Sequence, residues 1–262
     1  MDRVSAPNYA TVGGIRVFVD PDLATNTEGT GLNAVWHNGV QESILAPVTA
    51  AGLMPTDSDN TQLLQAMFAL PGKNVQVFSA SGTFVVPADV TKVHVLVLGG
   101  GSGAEGCNGS VFAGACGAGG GWAIKLCAVT PAASIPVTVG AGGAGSAAGA
   151  ASGAGGTSSF GTFCSATGGA PTSVNAGGTG GTGIGGDIVG SGSDGSDGMA
   201  PATLPNWPGL SGGSLFGGGR RSGSGGGYNG GAPGAGGSAP YTVSAATISG
   251  ANGAAGIVIV RW

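Results

Sequence analysis

Apolar residues in the first part of the chain recur with the period of an α-helix. Pro47 lies inside this pattern and is expected to kink or end the helix one turn before its apolar stripe ends. One short strand, at 15–19, is predicted ahead of it. The residues that share the helix face are Trp36, Val40, Ile44 and Val48.

A second helix is predicted at 61–70, between N-cap candidates at 57–60 and the stop signal Pro71-Gly72. Two short helices in a segment of about 70 residues cannot bury both apolar stripes. We therefore expect copies of this segment to pack together or to dock on a partner. The apolar residues of the second helix are Leu63, Leu64, Met67, Phe68 and Leu70.

From Val75 onward the period of the pattern changes to two, which is typical of β-strands. Alternation such as Trp122, Ile124 and Leu126 places one face of the sheet inside. The prediction is a small antiparallel sheet or sandwich, interrupted by glycine-rich insertions, of which 168–254 is the largest. Strands are predicted near 75–79, 82–86, 92–98, 122–129, 135–139, 158–167 and 256–262.

Composition divides the chain into two parts near Leu98. Of its 59 glycines, 8 lie in residues 1–98 and 51 in residues 99–262. The net charge of −4 lies wholly in the first part. This balance gives no electrostatic attraction for nucleic acid or anionic membranes, and no apolar run approaches the roughly 18 residues of a membrane-spanning helix.

The cysteines at 107, 116, 127 and 164 form no C-x-x-C pair, so the sequence does not predict a zinc site. A disulfide between Cys107 and Cys116 stays open as an alternative. The opening residues lack the apolar stretch of a secretory signal, which makes reduced thiols the expected state. Cys127 alternates with apolar neighbours and is predicted to be a small core residue.

Two motifs in the glycine-rich part match enzyme signatures formally. The stretch 101–106 is G-x-G-x-x-G after an apolar strand, but a dinucleotide site needs a helix next, and the following CNGSVFAGACGAGGG would not form one. The stretch 209–213 is G-x-S-x-G without the strand and helix of a nucleophile elbow. A tract that is one-third glycine produces both motifs by chance. We expect no enzyme and no cofactor.

The glycine-rich part is predicted to form polyglycine II helices. Collagen is excluded because no G-x-y period is sustained and proline is sparse. In polyglycine II, extended left-handed helices with three residues per turn lie side by side wherever glycine faces a neighbour. Ordering so many glycines is entropically costly, so nearly every N–H and C=O group must be hydrogen-bonded. Large side chains then belong to the β frame or to exposed loop tips.

Parts of both halves resemble proteins of tailed phages. Residues 29–42, 51–53 and 59–66 resemble a pattern common near the N-termini of tail fibres. Four further stretches, in this order, resemble the glycine-rich domain of phage tail fibres and adhesins: GTFVVPADVTKVHVLVLGGGSG, AGGGWAIKLCAVTPAASIPVTVGAGG, GGTSSFGTFCSATGG and NGAAGIVIVRW. Together these stretches cover most of the chain.

The resemblance implies a fold and a function. The expected fold is mainly β, with a small helical N-terminal segment and a sandwich-like frame that holds a polyglycine II bundle. Residues 1–72 would attach to the baseplate or other tail proteins and form a homo-oligomer, favoured as a trimer. A monomer stays open as the alternative, because some adhesins of the glycine-rich type act as monomers. Residues 73–262 would form the head that binds a host glycan or outer-membrane protein. The implied location is the virion tail, assembled in the bacterial cytoplasm, without membrane insertion.

Receptor contact is predicted where large side chains cluster within the glycine-rich part. Aromatic rings stack on sugars or fill clefts at little entropic cost, and paired arginines suit phosphate or acidic sugars. Two purely structural interpretations stay open. In one, the arginines are ordinary solvated surface residues. In the other, a local mini-core is formed by Leu204, Trp207, Leu210 and Phe216. The candidates are Leu204, Trp207, Leu210, Phe216, Arg220, Arg221, Tyr228 and Tyr241.

Other polar residues give weaker signals. Asp187, Asp194 and Asp197 do not have the spacing of an EF-hand loop, and turn aspartates are the favoured interpretation over calcium ligands. His37 and His94 are predicted to be structural or surface residues. No metal site is expected.

Two rival functions remain besides receptor binding. The glycine-rich head could be a structural spacer in a fibre or baseplate. Polyglycine II bundles also occur in antifreeze proteins, but these need regular G-x-x repeats and a flat ice-binding face, whereas this tract is irregular.

Overall fold

The chain divides into two compact units, Met1–Asn74 and Val75–Trp262. They are seen in a computed structural model. The residues that it describes are 10–12, 15–17, 21–22, 24–26, 28–29, 34–69, 74–108, 113–199, 209–242 and 246–262.

The first unit holds a strand pair and a helix pair. Strands β1 (Ala10–Val12) and β2 (Ile15–Val17) are antiparallel, so the short strand predicted from residue 15 has a partner that the sequence did not indicate. Helices α1 (Ala34–Ala50) and α2 (Gln62–Ala69) follow. Their common core is small: the buried residues are Val48, Ala51 and Ala66, with Leu53 and Ala69 packed against them.

Helix α1 continues through Pro47 to Ala50. Of the two alternatives expected at Pro47, a kink or the end of the helix, the end is wrong. Proline removes one intrahelical hydrogen bond, and the last turn still closes because the amide of Ala51 donates to the Pro47 carbonyl at 2.9 Å. The helix ends at Ala50, and Gly52, two residues later, has a φ of +78° in the left-handed region that favours glycine after a helix.

Most of the predicted apolar faces of α1 and α2 lie on the surface. Trp36 and Val40 are half-buried. The exposed members, with their exposed fractions, are Ile44 (47%), Leu63 (37%), Leu64 (53%), Met67 (61%) and Phe68 (79%). This small unit thus leaves a large apolar surface uncovered, as short paired helices must.

The second unit is built on two five-stranded antiparallel sheets, in the orders β10-β9-β8-β7-β4 and β11-β6-β5-β14-β3. A short parallel pair, β12–β13, lies apart from them. The strands are β3 (Val75–Phe78), β4 (Gly82–Val85), β5 (Lys92–Leu98), β6 (Trp122–Ala128), β7 (Ser134–Thr138), β8 (Ser158–Phe160), β9 (Cys164–Ala166), β10 (Gly183–Ile184), β11 (Ile188–Gly190), β12 (Gly223–Ser224), β13 (Pro240–Tyr241) and β14 (Ile257–Arg261).

The core lies between the two large sheets. Valines alternate along β5 so that Val93, Val95 and Val97 face inward, and Phe84 and Phe160 from the other sheet meet with ring centroids 5.8 Å apart. The mainly β fold with a small helical N-terminal segment is confirmed. The single strand predicted at 158–167 is the hairpin β8–β9, and the bounds of the other strands predicted in this unit agree within one residue.

The segment 99–105 is a polyglycine II helix. Each of its seven amides donates to another segment, and the segment that accepts changes with a period of three residues. Positions 99, 102 and 105 donate to 115–121, positions 100 and 103 to 153–156, and positions 101 and 104 to 251–254. The acceptors, in order from residue 99 to 105, are Gly121, Gly156, Ala254, Ala118, Gly153, Ala251 and Ala115, at 2.9–3.0 Å. Three residues per turn define this helix, and the predicted polyglycine II bundle is thus present.

The same rule extends through the bundle. In the segment 113–121, every third amide from 114 to 120 donates to 234–240 at 2.8–3.2 Å, and those of 116 and 119 donate to 193–196 at 2.9 Å. The helices approach so closely that a Cβ built on Gly117 would lie 2.3 Å from the Ser102 carbonyl oxygen. Backbone hydrogen bonds therefore replace side-chain packing in this part of the molecule.

A buried carboxylate closes one end of the bundle. Glu105 is 2% exposed, and its Oε1 accepts from the amide of Gly149 at 2.9 Å. Its Oε2 accepts from the amides of Asn175 at 3.0 Å and Ala115 at 3.3 Å. The carboxylate oxygens of Glu105 thus accept from amides that, inside the bundle, would donate to the carbonyls of a neighbouring polyglycine II helix. The site was not recognised from the sequence, where Glu105 reads only as part of a glycine motif.

Candidate functional site

A paired loop carries four of the eight predicted receptor residues, Leu210, Phe216, Arg220 and Arg221, out of the bundle. Leu210 and Arg221 are directly opposite each other in an antiparallel bridge, which places both side chains on one face. The amide of Ser211 donates to the Arg220 carbonyl, and the amide of Arg220 donates to the Ser211 hydroxyl, both at 2.9 Å. The loop thus leaves and re-enters the bundle at a fixed base.

The tip of this loop is a tight turn. The amide of Ser214 donates to the Gly217 carbonyl at 2.8 Å, and Leu215 and Phe216 lie between them with exposed fractions of 42% and 46%. Leu210 at the base of the loop is 58% exposed. Leu210 and Phe216 are therefore surface residues, and the other two members of the alternative mini-core, Leu204 and Trp207, lie outside the described residues.

A tyrosine and an arginine pack together beside the paired loop. The Arg221 guanidinium carbon lies 5.8 Å from the centre of the Tyr228 ring, a cation–π arrangement worth about 0.5–1 kcal/mol at an exposed site. The Tyr228 backbone is fixed, because its amide donates to the Ser238 hydroxyl at 2.8 Å and its carbonyl accepts from the Ser238 amide at 2.9 Å. The ring is thereby held on the outside of the bundle.

The second arginine lies close to the same loops. A Cβ built on Gly231 would come within 2.4 Å of the Arg220 Nε, so the Arg220 side chain covers that glycine. Neither arginine has a carboxylate partner among the described residues. The ion pair found in that part of the chain joins Lys125 and Asp187, at 3.9 Å. Both guanidinium groups are exposed and available to an anionic group.

We call this set of side chains the loop surface. It comprises Leu210, Leu215, Phe216, Arg220, Arg221 and Tyr228. Leu215 was missed from the sequence, although it lies beside Phe216 in a run of glycines. Tyr241 is half-buried in β13, opposite Ser224, and is not part of the surface. Leu204 and Trp207 lie outside the described residues.

The aspartates predicted as turn residues act as acceptors at the edge of the bundle. Asp194 Oδ1 accepts from the amide of Gly180 at 2.7 Å, and Asp197 Oδ1 accepts from the amide of Gly177 at 2.8 Å. Their three-residue spacing is the period of the polyglycine II helix that carries them. Asp187 instead accepts from the amide of Leu126 at 2.8 Å. No group of three or more acidic, histidine or cysteine residues in the described ranges could hold a metal ion.

We expect Asp194→Ala to lower the free energy of unfolding by about 1 kcal/mol, because the amide of Gly180 loses its acceptor at a solvent-exposed edge. Asp194→Asn keeps an oxygen at the acceptor position and should cost less than half as much. Urea denaturation of the two variants measures the difference. Equal destabilisation by Ala and Asn would show that the oxygen is not the stabilising group.

The two enzyme-like motifs have structural explanations. The G-x-G-x-x-G stretch, 101–106, overlaps the polyglycine II helix 99–105, and no α-helix follows it in the described residues up to 108. In the G-x-S-x-G stretch, Ser211 is 4% exposed and its hydroxyl accepts from a backbone amide. Neither motif presents the geometry that its signature requires.

All four cysteines are buried free thiols, so the open alternative of a Cys107–Cys116 disulfide is wrong. Burial raises the pKa of both Cys107 and Cys116 above the ordinary value, which keeps these thiols protonated. Cys127 lies in the sandwich core, as predicted. Among the helices described, neither is long and apolar enough to cross a membrane.

The fold and the loop surface together define a class: a β sandwich that frames a polyglycine II bundle and displays loops on it. A family model described as a glycine-rich domain matches residues 78–262. The chain belongs to this glycine-rich domain family. Comparison with curated proteins finds no match.

Proposed function

We propose that this protein is a receptor-binding tail fibre, or adhesin, of a tailed phage, and that the loop surface contacts the host bacterium. It would act without catalysis, as part of the virion tail, after assembly in the bacterial cytoplasm. The observation that carries the proposal is the display of exposed apolar, aromatic and arginine side chains on a stiff backbone bundle. Such a base holds contact residues in place and reduces the entropy lost on binding.

The chemistry of the loop surface supports a glycan or an outer-membrane protein loop as the receptor. Tyr228 and Phe216 offer flat apolar rings for sugar faces or protein side chains. Arg220 and Arg221 add donors that pair with phosphate, carboxylate or backbone carbonyl groups. Aromatic and arginine residues are the types that most often dominate the energy of an interface.

The first unit would serve assembly in this proposal. Helices α1 and α2 expose apolar side chains, such as Leu64 and Phe68, that soluble monomers usually cover. Contact with further copies of the chain, as in a trimeric fibre, and with baseplate or other tail proteins would cover them. The first unit is therefore proposed as the attachment and oligomerisation segment.

The test is binding of the labelled full chain to host cells, together with competition against phage adsorption. We expect the double variant Arg221→Ala, Tyr228→Ala to weaken cell binding by about 30-fold or more, because both groups of the cation–π pair are lost. Its melting temperature should stay close to that of the wild type, since both side chains lie on the surface.

The matched control is Val174→Ala with Ile184→Ala, two side chains that are 58% and 52% exposed outside the loop surface. This control should bind as the wild type does. If the wild-type chain neither binds host cells nor competes with phage, receptor binding is refuted. If the loop variant binds host cells like the wild type, the spacer role is favoured over receptor contact.

A further inference from the structure

An apolar row crosses the outward face of the sheet β11-β6-β5-β14-β3. The register places its members directly opposite one another across all five strands. The end members, Val77 and Ile188, are 54% and 58% exposed, and the three between them are half-buried. The row consists of Val77, Ile259, Leu96, Ile124 and Ile188. An outward sheet face is normally polar, so an aliphatic row of this length marks an interaction surface.

The next row of the same face contains an arginine and a histidine. Arg261 lies opposite both Val75 and His94, and His94 lies opposite Leu126. A depression of about 150 Å³ opens there, lined in part by Arg261, His94 and the central members of the apolar row. Lys92 lies at the end of the same strand as His94. Within the described strands, this outward face holds these basic residues and no acid. The Asp187 carboxylate lies beside the Leu126 end of the row, where it accepts from the Leu126 amide at 2.8 Å and pairs with Lys125 at 3.9 Å.

The helical segment 34–69 has the complementary chemistry. It contains the acids Glu42, Asp57 and Asp59 and neither lysine nor arginine. Leu64 and Phe68, one turn apart on α2, are 53% and 79% exposed. The lengths are comparable: α1 has 17 residues, about 25 Å, and five strands about 4.8 Å apart span about 19 Å between the two edge strands.

We propose that the apolar sheet face of one copy binds the helical segment 34–69 of a second copy. The contact pairs apolar with apolar surface and basic with acidic residues, in the helix-on-sheet layering common inside proteins. Because the two surfaces differ, the contact is heterologous, and repeated contacts close into a ring when the rotation permits. The inference rests on the self-association proposed above and is independent of receptor binding.

Two variants of the full chain each disable one surface. The sheet variant is Val77→Asp with Ile188→Asp, and the helix variant is Leu64→Asp with Phe68→Asp. All four side chains are more than half exposed, so each folded copy should tolerate the changes. By light scattering, the wild type should show the mass of two or more chains, each of 24.5 kDa. Each variant alone should associate at least about 100-fold more weakly and show the mass of one chain.

Mixing the two variants decides the geometry. The helix variant keeps an intact sheet face and the sheet variant keeps intact helices, so one good contact forms and the mixture should show a two-chain complex. The control Val174→Asp, at a position 58% exposed outside both surfaces, should keep the mass of the wild type. If an aspartate variant fails to fold, Arg261→Glu tests the same contact and should weaken association about tenfold.

The outcomes that overturn the proposal are distinct. A wild type with the mass of one chain refutes both this contact and the proposed self-association. A helix variant that still associates alone would show that sheet faces bind each other. A sheet variant that still associates alone would show that helices bind each other. A mixture without recovery excludes the heterologous contact. Cell binding is measured separately, so none of these outcomes tests receptor recognition.

Discussion

Replacing Gly103 by alanine is expected to unfold the glycine-rich bundle or to destabilise it by more than about 3 kcal/mol. A Cβ at this position would lie 2.0 Å from the carbonyl oxygen of Ala144 and 2.3 Å from its carbonyl carbon. These are backbone atoms of a neighbouring helix, which cannot rotate away as a side chain can. The neighbouring helix must shift, and this shift breaks backbone hydrogen bonds. No large hydrophobic core among the described residues of the bundle compensates for their loss. Thermal and urea denaturation measure the loss.

The controls for Gly103→Ala are Gly218→Ala and Gly226→Ala. A Cβ at either position meets no atom within 4 Å, and neither glycine has a positive φ. These substitutions reduce the conformational entropy of the unfolded chain. They should leave the free energy of unfolding unchanged or raise it by about 0.4 kcal/mol. Equal effects at Gly103 and Gly218 would contradict the close packing of the helices.

Glu105→Ala is the second change with a large expected effect. It removes the acceptor of three amides, those of Ala115, Gly149 and Asn175, at an end of the bundle where the carboxylate is 2% exposed. Each buried amide left without an acceptor costs about 1–3 kcal/mol. The amides of Gly149 and Asn175 are only partly buried and take the lower end of this range, so we expect a total loss of roughly 3–5 kcal/mol. Urea denaturation monitored by tryptophan fluorescence gives the free energy of unfolding.

Glu105→Gln is the matched control for the carboxylate. It preserves the shape and one oxygen, but it turns an NH₂ group toward amides that need an acceptor. Its loss should therefore lie between those of the wild type and Glu105→Ala. A Glu105→Ala variant as stable as the wild type would show that water satisfies the three amides, and the proposed closing role of the carboxylate would be wrong.

The β frame could be predicted closely from the sequence because period-two alternation is a local signal. Strand β5 was predicted with the bounds that the structure shows, 92–98. Predicted element bounds were wrong where a local signal misleads. Pro47 lies inside α1, because one missing hydrogen bond near a helix end is tolerated. The hairpin turn between β8 and β9 was missed because only Gly161, with a φ of +48°, marks it.

The pairing of polyglycine helices could not be predicted from the sequence. Each glycine looks like every other, so nothing local states that Gly101 donates to Ala254 while Gly100 donates to Gly156. One signal was available: the aspartates of GSDGSDG are three residues apart, which matches the edge acceptors Asp194 and Asp197.

The composition of the loop surface could be predicted in part. Phe216, Arg220, Arg221 and Tyr228 are conspicuous because they are large side chains within a glycine tract. The contact between Arg221 and Tyr228 depends on hydrogen bonds that fix the Tyr228 backbone, such as its bond to Ser238, and no sequence spacing indicates it. The buried position of Glu105 has the same origin.

The central claim is that backbone amides of one segment bond in turn to three different neighbours. Scalar couplings across hydrogen bonds, measured by NMR on the isotope-labelled chain, link each donor amide to its acceptor carbonyl. The account predicts couplings from Gly99 to Gly121, from Gly100 to Gly156 and from Gly101 to Ala254. Couplings from this segment to one or two strands only, or rapid exchange of these amides with solvent, would contradict it.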